Sequence, residues 1–286
     1  MPLPSGHPAA ALFAIGAEDA PPCGIASDGE TVWIADFRRS NVASIDPATD
    51  TLVERTNILG PCGLAYRDGA LFVAEATSKT LVKRDADTLD VLADPVFGLG
   101  TIWDVEAGAD AVWFVDRGKA ELVKVDPEAN ESLMRIPLGG QPSGLAVTAN
   151  AVWVAVESAH ETVRVDPTTG EIVARLATGT QPVWVAATDH WAWVMHAEGD
   201  AVLLDASTNE VSLRLPLGGR PGEPAIVDDA VWIPNQDGGT VSELGLLDAK
   251  VRRTLTIGPG AGQVVFAAGS LWIGGYTDGL VWRVEP

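Results

Sequence analysis

The sequence is poor in cysteine, histidine and basic residues. Its 286 residues include two Cys, four His and 19 Lys and Arg against 39 Asp and Glu, so the formal net charge is −20. Two cysteines cannot form the disulfide framework of a small secreted domain, which agrees weakly with a reducing compartment. Without clusters of Lys or Arg, the chain is poorly suited to nucleic-acid phosphates or an anionic membrane surface. We therefore expect neither nucleic acid nor a membrane as partner.

Long apolar runs and familiar catalytic motifs are also missing. The longest apolar run, near residues 9–17, is far shorter than the roughly 20 residues of a membrane-spanning helix. No Lys or Arg precedes it, so it does not resemble a secretory signal, and we expect a cytoplasmic protein with a trimmed secreted form as the alternative. The sequence contains no serine nucleophile elbow, phosphate loop, dinucleotide fingerprint or HExxH motif, so no organic cofactor is indicated.

An internal repeat is the main feature that is present. Strings such as TVWIAD, AVWFVD and AVWVAV recur at intervals of 39 to 41 residues, each around one aromatic anchor. Six of the ten Trp and one Phe serve as these anchors. The anchors are Trp33, Phe72, Trp113, Trp153, Trp193, Trp232 and Trp272.

Each repeat contains the pattern of four short strands. A Pro-x-Gly-like segment leads into an apolar run, the anchor run follows, and a third run ends in Asp-Pro or a variant before a fourth run. Val-rich runs of four to six residues between turn residues are typical of strands, and Asp-Pro is a type I turn signal. Seven such units predict an all-β, seven-bladed β-propeller of four-stranded antiparallel blades, forming one domain over residues 1–286.

The two ends of the chain are predicted to share one blade. The last unit has only three strands, the third over residues 280–284, and residues 11–15 precede the first Pro-x-Gly segment. We therefore expect the N-terminal strand to complete the last blade and close the ring. An open array of β-sandwiches is the alternative, but it explains neither the count of seven nor the split blade.

Polar residues three positions after each anchor define a first candidate ring. Asp36, Glu75 and Asp116 belong to consecutive repeats and predict a divalent metal site for Mg, Ca, Mn or Zn. The alternative is an acidic rim neutralised by Arg38, Arg39 and Arg117. The same ring places His196 as a candidate catalytic base and Asn235 as a substrate contact.

Departures from glycine in Pro-x-Gly define a second candidate ring. Asp104, Trp184, Glu223 and Gln263 replace the glycine of sister repeats, which suggests a pocket. They could instead only fill the channel mouth or hydrogen-bond a neighbouring blade. We expect Asp104 and Glu223, with His196, to move protons. The expected substrate contacts are Trp103, Trp184, Gln263, Tyr276, Asn235, Cys23 and Cys62.

The two cysteines occupy equivalent x positions in adjacent repeats. Because neighbouring inner strands diverge, we expect Cys23 and Cys62 to be buried free thiols. A disulfide is the alternative if their Cα atoms lie within about 7 Å, and a soft metal such as Cu(I) or Zn²⁺ is a lesser one.

The repeat PxGLAV…VWVA…VxRVDPTTGEIVARLATG resembles seven-bladed propellers of the YVTN/NHL type, and especially the virginiamycin B (streptogramin) lyase-like family. The resemblance spans the chain and implies Mg²⁺-assisted elimination that opens a macrocyclic ester. It also implies a His at the x of Pro-x-Gly and a Glu at the end of the anchor strand. Glu75 matches the Glu, with Asp36 and Asp116 as shorter relatives, but no x position carries His.

Together these features predict a monomeric propeller that acts on a small molecule at its channel mouth. The expected chemistry is that of a metal-assisted lyase or a hydrolase of an ester- or lactone-like substrate. The competing hypothesis is a non-catalytic propeller scaffold that binds a ligand or a protein, since the fold alone does not separate the two.

Overall fold

The chain folds as an all-β, seven-bladed β-propeller. The computed structural model describes residues 9–15, 22–277 and 279–285, which form 27 strands and one 3₁₀ turn at Glu157–Ala159. Each blade is an antiparallel sheet whose strands follow chain order, as predicted. The chain divides into two compact units, residues 1–64 with 219–286 and residues 65–218. The expectation of one domain over the whole chain stays a prediction.

The first compact unit contains blades one, six and seven, each with four hydrogen-bonded strands. Blade one is β2 (Pro22–Ser27), β3 (Val32–Asp36), β4 (Asn41–Asp46) and β5 (Thr51–Thr56); blade six is β21 (Ala225–Val227), β22 (Ala230–Asn235), β23 (Thr240–Gly245) and β24 (Val251–Thr256); blade seven is β1 (Ala9–Ala14), β27 (Leu280–Val284), β26 (Ser270–Gly275) and β25 (Ala261–Ala267).

The second compact unit contains blades three, four and five and most of blade two. Blade two is β6 (Pro61–Arg67), β7 (Ala70–Glu75) and β8 (Thr80–Asp85); blade three is β9 (Ile102–Gly108), β10 (Ala111–Asp116), β11 (Glu121–Asp126) and β12 (Glu131–Pro137); blade four is β13 (Leu145–Val147), β14 (Val152–Val156), β15 (Glu161–Val165) and β16 (Ile172–Leu176); blade five is β17 (Pro182–Ala187), β18 (Trp191–His196), β19 (Asp200–Asp205) and β20 (Glu210–Pro216).

Blade two departs from the predicted four strands. Its fourth run is reduced to two isolated bridges, in which Val96 pairs with Leu81 and Val91 with Arg84. Pro95 interrupts this run, and proline has no N–H to donate to a sheet ladder. The outer edge of this blade is therefore a broken strand.

The predicted sharing of one blade by the two chain ends is confirmed. β1 pairs antiparallel with β27, with Leu12 opposite Trp282 and Phe13 opposite Val281. The Ile15 N–H extends the pairing by donating to the carbonyl of Gly279 at 2.9 Å. A blade completed by strands from both ends of the chain closes the ring of the propeller.

The anchor aromatics form the buried centre of each blade. Trp113 and Trp153 are fully buried, and a cation from the neighbouring third strand lies over each ring, Lys124 at 5.2 Å and Arg164 at 5.2 Å. The Lys124 ammonium also donates to the Pro167 carbonyl of the next blade at 2.7 Å. Each cation thus stacks on its own anchor ring, and Lys124 also links its blade to the following one.

Among the described residues, no helix is long and apolar enough to cross a membrane.

Candidate functional site

The Pro-x-Gly segments contain a β-bulge between the first and second strands of a blade. In blade one the register shifts between Pro22, opposite Asp36, and Gly24, opposite Ala35, so Cys23 is the extra residue. Blades five and seven shift at the equivalent place. A bulge bends the strand and redirects its side chains. The positions singled out in the sequence therefore lie where the first strand is distorted.

The first candidate ring is a single structural position. Each member is the last residue of its blade's second strand. The seven residues are Asp36, Glu75, Asp116, Val156, His196, Asn235 and Gly275.

Three members of this ring use their side-chain oxygen to close the turn that follows. Asp36 Oδ1 accepts the N–H of the residue three positions on at 3.0 Å, and Asp116 Oδ1 and Asn235 Oδ1 do the same at 3.1 and 2.9 Å. Asp116 Oδ2 also accepts the Gly100 N–H at 2.7 Å. Burial raises the pKa of Asp36, and the Arg39 N–H opposes that rise. Asp and Asn recur here because short side-chain acceptors stabilise such turns.

Glu75 forms an ion pair within its own blade. Its Oε1 lies 2.5 Å from Arg84 Nη2; the Glu75 side chain is buried and the Arg84 side chain is 12% exposed. Arg84 was not among the neutralising residues expected from the sequence. Of those, Arg39 pairs with Glu54 at 3.0 Å and Arg117 with Glu157 at 2.9 Å.

These contacts leave the predicted metal ligands ill suited to a cation. Among the described residues, no group of three or more His, Cys, Asp or Glu is placed to hold a metal ion. The carboxylate oxygens of Asp116 and Glu75 are already bound by backbone N–H groups and a guanidinium. The arrangement of these donors in the described residues does not fit a divalent metal.

His196 lies at the end of β18 with its ring completely buried. Its Nδ1 is 3.5 Å from Asp200 Oδ1, and neither ring nitrogen has a hydrogen-bond partner among the described residues. Gly179 packs closely against the imidazole, since a Cβ added at Gly179 would lie only 3.0 Å from His196 Nε2. Burial lowers the pKa of His196, and Asp200 opposes while Arg214 reinforces the change. The neutral imidazole is thus favoured near neutral pH.

Asp104 and Glu106 form a carboxyl pair on the first strand of blade three. They are two residues apart on β9, so their side chains share one face of the strand. Asp104 is 8% exposed, and its Oδ2 accepts the Leu145 N–H at 2.9 Å. Burial raises the pKa of Asp104 to about 7, and burial together with the nearby Asp104 charge raises that of Glu106 to about 8.

Glu106 was missed in the sequence, although a signal existed. The position two residues after the Pro-x-Gly glycine is alanine in five other blades, including Ala26, Ala146 and Ala186. A glutamate at a position that sister repeats reserve for alanine is a departure of the same kind as Asp104. Both departures occur in the same blade.

Trp184 and Asp104 both contact one glycine segment in blade four. A Cβ at Gly144 would lie 3.0 Å from Trp184 Cε3, so the indole lies directly against that glycine. The next residue, Leu145, binds Asp104. The structure therefore places Asp104 and Trp184 beside successive backbone positions of the same segment.

Trp103 is an exposed aromatic residue that directly precedes Asp104 in the chain. It is 38% exposed, and the Arg117 guanidinium lies over its ring at 5.4 Å. Arg117 is held by Glu157 at 2.9 Å. The indole of the residue before Asp104 is thus partly exposed and stacks with a cation.

Glu223 and Gln263 meet in the other compact unit. Glu223, two residues before β21, forms an isolated parallel bridge with Gln263 of β25, and Gln263 Nε2 donates to Glu223 Oε2 at 2.5 Å. The Tyr276 ring lies against Gly262, the residue before Gln263.

The expectation of two free thiols is wrong. Cys23 and Cys62 form a disulfide, with their Cα atoms 4.7 Å apart. The two strands approach this closely because Gly24 has no side chain, since a Cβ there would collide with the carbonyl of Cys62. A disulfide sulfur is not available as a thiol contact for a substrate.

Comparison with solved structures supports the fold. Virginiamycin B lyase from Staphylococcus aureus is similar with a TM-score of 0.83 at 15% identity, covering 96% of this chain and 98% of the other. Hydrazine synthase from Kuenenia stuttgartiensis gives 0.84 at 15% identity, covering 94% and 96%. The computationally designed Ika8 protein gives 0.72 at 12% identity, covering 96% and 98%.

The resemblance drawn from the repeat is therefore confirmed as a likeness of fold. No family model matches the sequence, and no curated protein matches it. At these identities, the structural likeness shows the propeller alone and assigns no activity.

Proposed function

We propose that this chain is a propeller enzyme that acts on a small ester- or lactone-like molecule, with Asp104 and Glu106 as its general acid and base. The observation that carries the proposal is the pair itself, two carboxyls on one face of β9 with Asp104 buried. The reaction class is elimination or hydrolysis. The name of the structurally similar lyase is the reason to include elimination.

A close carboxyl pair suits proton transfer at neutral pH. Two like charges at short range do not both ionise easily, so one proton is retained while the partner carries the charge. With pKa values of about 7 and 8, one carboxyl can accept a proton from the substrate while the other donates to the leaving oxygen. The Leu145 N–H fixes the Asp104 carboxyl for this role.

The neighbouring tryptophans provide the apolar surface that a small substrate needs. Trp103 is exposed beside Asp104 in the chain, and Trp184 lies against Gly144. Pockets combine aromatic walls with a few convergent polar groups. In the proposed mechanism Trp103 holds the substrate over the pair, and Trp184 forms the adjacent wall.

The protonation of the pair is tested without knowing the substrate. Infrared difference spectra recorded from pH 4 to pH 9 should show two carboxyl groups losing protons near pH 7 and 8. Both signals should disappear in Asp104→Asn/Glu106→Gln and persist in Glu131→Gln, which changes an exposed carboxyl of the same blade. If both carboxyls are ionised below pH 5, the acid–base role is wrong.

Turnover is tested on a panel of aryl esters and lactones. Removal of a general acid or base typically costs roughly 10²–10⁴-fold in rate. Each single variant, Asp104→Asn or Glu106→Gln, should lose activity on that scale and lose one limb of a bell-shaped pH profile. Glu131→Gln should retain both the rate and the profile.

A non-catalytic ligand-binding propeller is the second candidate function. The ion pair of Glu75 with Arg84 favours it, because a carboxylate neutralised in this way is structural. This candidate predicts saturable binding with no turnover in the same panel. The monomeric state stays a prediction, which light scattering would test.

A further inference from the structure

We infer that Glu223 and Gln263 form a binding site for a primary ammonium group, separate from the Asp104–Glu106 pair. The side chains of these two residues meet where the segment before β21 forms an isolated parallel bridge with β25. Nothing in the proposed acid–base chemistry uses them.

The backbone fixes the two side chains beside each other. The Glu223 N–H donates to the Gly262 carbonyl at 2.8 Å, and the Val264 N–H donates to the Glu223 carbonyl at 3.2 Å. The close approach of the two segments requires glycine at Gly222, and glycine at Gly262 makes room for the Tyr276 ring. A Cβ at Gly222 would collide with the Gly262 carbonyl, and a Cβ at Gly262 would collide with the Tyr276 ring.

Gln263 leaves a buried acceptor beside the carboxylate. Its Nε2 donates to Glu223 Oε2 at 2.5 Å, whereas its Oε1 has no hydrogen-bond partner among the described residues. Gln263 is only 5% exposed. A buried amide oxygen without a donor is unfavourable, so its retention at a position that is glycine in three sister blades points to a donor that arrives with a ligand.

The chemistry of these two acceptors selects the ligand. An amide oxygen next to a carboxylate suits a group that brings several N–H donors and a positive charge, as a primary ammonium does. The net charge of −20 adds long-range attraction for cations. A quaternary ammonium has the charge without the donors, and an alcohol has a donor without the charge.

The test uses n-butylammonium, tetramethylammonium and butan-1-ol with the full chain. Binding is followed through the side-chain amide resonances of Gln263 by NMR and through the thermal shift of unfolding. We expect n-butylammonium to move both Gln263 amide proton signals and to raise Tm in a saturable way. Tetramethylammonium and butanol should do neither at equal concentration. Equal effects of tetramethylammonium, or no shift with n-butylammonium, would overturn the site.

Variants locate the binding to these two residues. Glu223→Gln keeps an acceptor but removes the charge, and should weaken n-butylammonium binding at least about tenfold. Glu30→Gln removes an exposed carboxylate from the same compact unit and should leave the affinity unchanged. Gln263→Met should also abolish binding. If that variant does not fold, the Glu223→Gln comparison and the wild-type NMR titration still decide, and unchanged affinity in Glu223→Gln contradicts the site.

Discussion

The Oδ2 atom of Asp104 accepts a hydrogen bond from the backbone N–H of Leu145 at 2.9 Å, joining blade three to blade four. In three sister blades glycine occupies the position of Asp104 and makes no such contact through a side chain. The carboxyl therefore connects two blades and is held in place beside Glu106.

The stability of the protein should fall as pH rises through the titration of the Asp104–Glu106 pair. Burial raises both folded-state pKa values, to about 7 and 8, above the unfolded values of 3.8 and 4.5. The folded chain therefore retains more protons in this window. The stability gained from protonation is complete below pH 4 and is lost as pH rises toward 8.

Urea unfolding at pH 5 and pH 9 measures this effect. The free energy of unfolding of Asp104→Asn/Glu106→Gln, measured relative to that of wild type, should be higher at pH 9 than at pH 5. The reason is that the amides have no charge to bury at high pH. The Asp104→Asn change keeps an oxygen acceptor for the Leu145 N–H. Glu131→Gln should follow wild type at both values. If the free energy of unfolding changes by the same amount between pH 5 and pH 9 in the double variant and in wild type, the pair does not titrate in this range.

His196 should make the protein less stable in mild acid. Burial lowers its pKa in the folded chain below the ordinary value of 6.5, so the unfolded chain binds a proton first as pH falls. The stability from the neutral ring is complete above pH 6.5 and is lost below it. The free energy of unfolding should thus drop between pH 7.5 and 5 by more in wild type than in His196→Gln. His190→Gln, at an exposed position, should behave as wild type.

The repeat was sufficient to predict the blades, because packing repeats with the sequence. Each anchor and each strand end recurs in register, so Asp36 and Asp116 could be placed at equivalent points from spacing alone. The closure by residues 11–15 followed from counting strands. The broken edge of blade two was missed, because a single Pro95 outweighs a pattern that otherwise favours a strand.

The roles of the candidate residues were harder to predict, because they depend on partners outside the repeat. Arg84 of β8 neutralises Glu75 of the neighbouring strand β7, and the spacing of residues in the repeat does not identify that arginine. The disulfide depended on the distance between two strands. Gly24 controls that distance, because the absence of a side chain there allows the carbonyl of Cys62 to approach. The sequence identified Gly24 only as the glycine of a Pro-x-Gly motif.

Reduction of the Cys23–Cys62 disulfide should destabilise the protein. The bond closes a loop between residues 39 positions apart, which corresponds to roughly 4 kcal/mol in the chain-entropy account. Urea unfolding should shift to lower midpoint after denaturation and refolding in a reductant. Cys23→Ala/Cys62→Ala should lose similar stability and show no response to the reductant. A reductant-sensitive double variant would assign the effect elsewhere. Such a bond is typical of oxidising compartments, so the expected cytoplasmic location needs a direct test by fractionation.

The closure of blade seven should depend on a single aromatic contact of β1. Phe13 is buried, and its ring centroid lies 5.5 Å from that of Trp272, the anchor of the same blade. Phe13→Ala removes this packing and should cost about 3–5 kcal/mol, the usual range for a buried Phe.

Phe266 offers the matched control, because it is the same residue type in the same blade but is 40% exposed. Phe266→Ala should cost less than about 1 kcal/mol. Both values come from urea unfolding monitored by tryptophan fluorescence. Because β1 supplies the fourth strand of its sheet, deletion of residues 1–14 should remove cooperative unfolding altogether. Equal losses of unfolding free energy in Phe13→Ala and Phe266→Ala would contradict a stabilising role for the packing of Phe13 on Trp272. An unchanged, cooperative unfolding transition in the truncated protein would mean that the ring does not need its N-terminal strand.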